Sequence, residues 1–93
     1  MADIELTRSH SMGLDEGRTV VEEVAQQLEV DLGVQYEWDD EETLLFKGQG
    51  AEGQIDVRDE DIRLLINLSA FLKPMKGTLK AEAAKYLDRH LEA

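Results

Sequence analysis

The 93-residue chain has no cysteine. That excludes a disulfide scaffold, thiolate zinc sites and cysteine nucleophiles together. No apolar run approaches the roughly 18 residues a bilayer crossing needs. The start, Met1-Ala2-Asp3-Ile4-Glu5, has neither the basic nor the apolar stretch of a signal peptide, so a cytoplasmic protein is expected. Basic side chains are scarce, 10 against 21 acidic ones. The resulting net charge of −11 repels a phosphate backbone and argues against nucleic-acid binding.

What is present is an apolar fraction of 42%, enough for a folded chain despite the charge. The length predicts one domain over residues 1–93, with a core between two layers and little room for a deep pocket. The charge is unevenly placed. Residues 1–68 hold five basic and 18 acidic side chains, whereas residues 69–93 hold five basic and three acidic ones. If the chain meets an anionic surface, the last 25 residues are where that contact is expected.

Asp3 to Arg8 alternates polar and apolar residues, the pattern of a half-buried strand with Ile4 and Leu6 inward. Leu14 to Leu32 has a helical period, with Val21, Val24, Ala25, Leu28 and Leu32 in one stripe. Asp15 and Glu16 lie in its first turn, and Gly33 stands where a left-handed closing residue is expected. Four alternating segments follow: Val34–Trp38, Thr43–Lys47, Ala51–Val57 and Ile62–Leu68. Their short links require antiparallel neighbours. The one proline, Pro74, opens a last helix whose stripe of Leu72, Met75, Leu79, Ala83, Tyr86, Leu87 and His90 should pack onto the sheet. The predicted fold is α+β, ordered β-α-β-β-β-β-α, with a single antiparallel sheet and two helices on one face. Trp38, Phe46, Ile55, Leu64, Val24, Leu28, Leu79 and Leu87 are the expected core.

Catalytic and metal chemistry finds little support. His10 lies between two serines, but neighbours in sequence seldom form a nucleophile–base pair, and helix-entrance contacts explain all three better. Asp39-Asp40-Glu41-Glu42 lacks the alternating spacing and glycine of a calcium loop and reads as a solvated turn. Gly48, Gly50 and Gly53 have no helix behind them to cradle a phosphate. No catalytic residue, metal site or cofactor is assigned. Lys73, Lys76 and Lys80 share a flank of the last helix beside Phe71, Leu72 and Met75. That composition fits a core-packing helix with solvated lysines, since the core also needs the stripe, or else a basic amphipathic element at a lipid or polymer surface.

Several residues line up as a set: His10 with Gly13-Leu14, Arg18, Trp38, Phe46, Gly50-x-x-Gly53, and Phe71-Leu72-Lys73-Pro74-Met75-Lys76-Gly77. This set resembles the polyhydroxyalkanoic acid system protein family, short bacterial proteins encoded beside polyester-granule genes. Gly17 departs from the alanine expected there, and the Asp39–Glu42 loop is longer and more acidic than usual. The resemblance brings no catalytic residues and leaves His10, Gly13, Arg18, Trp38 and Gly53 without an assigned role. It implies a non-enzymatic accessory protein of the polyhydroxyalkanoate system, with the granule surface or granule-associated proteins as partners. Phe71, Leu72, Lys73, Met75, Lys76 and Lys80 would form the contact. The layout is also similar to small helix-grip domains, so a carrier of small apolar ligands is the alternative. A homodimer is expected as well, through an unpaired strand edge or through Leu45 and Leu65 on the polar sheet face.

Overall fold

A computed structural model describes residues 2–91. Five strands and two long helices follow in order: β1 (Ile4–Ser9), α1 (Gly13–Leu32), β2 (Gln35–Trp38), β3 (Thr43–Lys47), β4 (Ala51–Val57), β5 (Asp61–Leu68) and α2 (Lys76–Leu91). A 3-10 turn, Lys73–Met75, leads into α2. The strands form one antiparallel sheet in the order β1-β5-β4-β3-β2. Both helices pack on one face, as the alternation predicts.

Register explains which side chains are buried. One rung runs Leu6–Leu64–Ile55–Leu44–Trp38 across all five strands, and the next runs Ile4–Ile66–Gly53–Phe46–Tyr36. Both point toward the helices, because side chains alternate with period two along each strand. Ile4, Leu44, Ile55, Leu64 and Ile66 are at most 1% exposed, and Val21, Val24, Leu28 and Leu87 close the core from the helix side. Each strand's opposite residues form the polar outer face, where a rung Glu37–Leu45–Gln54–Leu65–Glu5 includes two leucines.

α1 joins β1 to β2, which lie at opposite edges of the sheet. Its 20 residues, about 30 Å of helix, span the sheet. α1 begins at Gly13, whose φ of +82° is costly for any residue with a Cβ. Gly53 is required for space. A Cβ there would lie 1.9 Å from the Leu65 carbonyl oxygen and 2.9 Å from the Phe46 ring. The Gly17 departure is also explained by packing, since a Cβ would sit 2.7 Å from Val57 Cγ2.

Three expectations need correction. Met75 is 48% exposed instead of packed on the sheet. The chain leaves β5 at Leu68, opposite Ala51, and the 3-10 turn forms beyond the sheet rim, so little lies beneath Met75. Trp38 and Leu79 are half-buried, packed against the core without being enclosed by it. Trp38 lies on an edge strand, and Leu79 lines an open cleft.

Candidate functional site

The segment from Ser69 to Lys80 holds all six predicted surface residues. Ser69 N–H donates to the Gly50 carbonyl at 3.0 Å, tying the end of β5 to the β3–β4 hairpin. Ser69 then accepts from the N–H groups of Leu72 (3.0 Å) and Lys73 (3.1 Å) through its carbonyl. Leu72 folds down over Gly50, where a Cβ would lie only 2.5 Å from Leu72 Cδ1. Leu72 is thus the anchor of the segment, half-buried against the core. Phe71 and Met75 flank it and face solvent, at 68% and 48% exposure. Lys73, Lys76 and Lys80 are exposed, and none has an acidic partner within ion-pair distance among the described residues.

The five family-pattern residues form joints in the fold. His10 Nε2 lies 2.8 Å from the Arg58 carbonyl, which can only accept, so Nε2 donates. Nδ1 is then free to accept from Met12 N–H at 3.2 Å. His10 N–H also donates to the Glu60 carbonyl at 2.9 Å. His10 therefore fastens the start of α1 to the β4–β5 turn with both ring nitrogens engaged. The neighbouring serines make no side-chain cap at this entrance, so His10 alone serves the role expected of the three. Arg18 lies over the Trp38 ring, 4.7 Å from its centre, and Trp38 Nε1 donates to Glu22 at 2.7 Å. This stack holds edge strand β2 against α1.

The acidic loop is organised by its own backbone. Asp40 Oδ1 accepts from the N–H groups of Glu42 and Thr43, each at 2.8 Å. These are turn contacts of the kind aspartate commonly makes.

Sequence reasoning missed the ties that hold α2. Arg8 Nε pairs with Asp88 at 2.9 Å, His90 Nδ1 lies 2.8 Å from Glu23, and Tyr86 donates its hydroxyl to Asp31. The Asp31 hydrogen bond, reinforced by burial, pushes the Tyr86 phenol up to about 12. Beside this last tie, α1 and α2 part to leave a cleft of about 260 Å³. Its floor is Leu28, Ile66, Leu68 and Ala83, and its rim carries Asp31 and Glu82. The volume falls short of the roughly 300 Å³ at which ligand pockets begin. A second, shallower hollow of about 620 Å³ lies on the outer sheet face around Leu45 and Gln54.

The strand edges are poorly suited to pairing. Arg8 Nη1 donates to the Thr7 carbonyl on β1, and β2 is four residues long, carries Glu37 and runs into the acidic loop. Charge and shortness both discourage edge-to-edge association. No helix among the described residues is long and apolar enough to cross a membrane.

With this geometry in place, comparison with known families is decisive on one point. The family model described as putative polyhydroxyalkanoic acid system protein matches residues 4–91. The chain belongs to this family. The match runs from the first residue of β1 to the last of α2, so the segment around Phe71 and the joints at His10 and Arg18 all lie inside it. No curated protein and no solved structure matches the chain.

Proposed function

We propose that this polyhydroxyalkanoic acid system protein is a non-enzymatic accessory that associates with the polyester granule through the Phe71–Lys80 segment. The observation that carries this reading is the exposure of Phe71 and Met75 beside three lysines that have no acidic ion-pair partner among the described residues. An apolar polymer with an amphiphilic, partly anionic coat offers carbon for the first pair and charge for the second. Lysine stems bury alongside such a surface while the ammonium groups stay hydrated. Each lysine near an anionic surface contributes about 1 kcal/mol, within a Debye length. The remainder of the chain, strongly negative, orients away from such a coat. Leu72 keeps the segment seated on the core during contact.

Co-sedimentation with purified granules tests this, at low and high salt. Binding should weaken as salt rises and should fail for the Lys73→Glu, Lys76→Glu, Lys80→Glu variant, with circular dichroism as the folding control. Equal binding by the folded variant would overturn the assignment and favour a protein partner for the acidic surface.

A further inference from the structure

We infer that the cleft between α1 and α2 receives the Phe71–Met75 segment of a second copy of this chain. The inference does not rest on granule association, because it concerns the protein alone in solution. Two surfaces on the same molecule complement one another. One is convex, apolar and basic: Phe71 and Met75, exposed, with Lys73, Lys76 and Lys80 around them. The other is concave, apolar and acidic: a floor of Leu28, Ile66, Leu68 and Ala83, rimmed by Asp31 and Glu82.

Size and charge agree. A cleft of about 260 Å³ has room for one large apolar side chain but is small for a typical ligand. Asp31 already accepts from Tyr86 and from Gln27, and Glu82 has no ion-pair partner among the described residues. An anionic occupant is repelled at this rim, whereas a lysine-flanked aromatic ring is attracted. The strand edges, as described, discourage the alternative route through sheet extension. Both surfaces occur on every copy, so two molecules can exchange segments about a two-fold axis and fill both clefts. The area so buried is modest, which predicts a weak, salt-sensitive dimer instead of an obligate one.

Charge reversal on each surface gives a direct test by sedimentation equilibrium up to about 1 mM, the concentration that reveals weak pairs. One variant reverses the cleft, Asp31→Asn with Glu82→Lys. The other reverses the segment, Lys73→Glu with Lys76→Glu and Lys80→Glu. Each variant alone should dimerise about tenfold more weakly than the parent. Mixed, they should recover dimerisation, because the native segment of the first meets the native cleft of the second, and the reversed segment meets the reversed cleft. Circular dichroism establishes that both fold. A parent that stays monomeric overturns the inference. A dimer indifferent to both variants also overturns it and points to the outer face at Leu45. Failure of the mixture to recover would show that the losses were unspecific, and would overturn it equally.

Discussion

The two helices share one face of one sheet, but they are attached to it differently. α1 buries Gly17, Val20, Val21, Val24, Ala25 and Leu28, whereas α2 buries only Ala83 and Leu87. Fully burying a large aliphatic side chain contributes about 1.5–3 kcal/mol, so the apolar hold on α1 is several-fold larger. α2 compensates with polar ties along its second half, through Tyr86, Asp88 and His90. Its first half has no such ties among the described residues and leads back to exposed Phe71 and Met75. α2 retains part of its stripe, next to the chain's positive end.

The contrast can be broken at several points. The largest effect is expected from Leu28→Ala in α1, which removes a side chain only 2% exposed. Chemical denaturation should show a loss of about 2–5 kcal/mol, a large share of a small domain's stability. A loss below about 1 kcal/mol would mean that α1 is not the helix that holds the core.

Arg18→Ala should cost about 1 kcal/mol, because it removes the cation stacked on Trp38. Trp38 is the sole tryptophan, so its fluorescence reports the loosening of β2 from α1 directly. An unchanged emission spectrum would contradict the stack.

Tyr86→Phe should cost a similar or smaller amount, about 0.5–1.5 kcal/mol, at neutral pH. Its pH dependence is more diagnostic. The folded phenol titrates near 12 against an ordinary 10.0, so the unfolded chain loses this proton first as pH rises. The stabilisation from the Asp31 hydrogen bond is therefore fully present below pH 10 and lost between pH 10 and 12. The parent should lose more stability than the phenylalanine variant across that window. Parallel curves would show that Asp31 does not hold the phenol.

The smallest effect on stability is expected from the three lysine-to-glutamate changes at 73, 76 and 80. All three side chains are exposed, so unfolding should shift by less than about 0.5 kcal/mol. A larger loss would mean that the first half of α2 is held more firmly than its contacts indicate.

Most of the fold was legible in the sequence because two periods, 2 and 3.6, sort the apolar residues with few exceptions. Thr43–Lys47 and Ala51–Val57 are strands over those spans, since turn residues bracket each alternation. The misses have physical reasons. A helical wheel shows that Met75 is on the inward side, but it does not show where the sheet ends beneath it. Alternation placed Trp38 on the inward face, yet it could not show that β2 is an edge strand that leaves the ring half-covered. The ties of α2 connect residues 55 to 80 positions apart, such as Tyr86 with Asp31 and Arg8 with Asp88, and no local pattern announces them. The candidate surface was legible as composition, through its lysines and apolar neighbours. Which of those apolar residues remain exposed depended on Leu72, which packs tightly over Gly50, whereas Phe71 touches Gly50 only with its ring tip and stays mostly exposed, as does Met75.

Granule contact is proposed for the Phe71–Lys80 segment, which leads into and opens α2. Amide hydrogen exchange, with and without purified granules, tests it most directly. The account predicts slower exchange from Phe71 to Lys80 on adding granules and no change along α1. Protection confined to the outer sheet face around Leu45, or spread evenly over the chain, would contradict it.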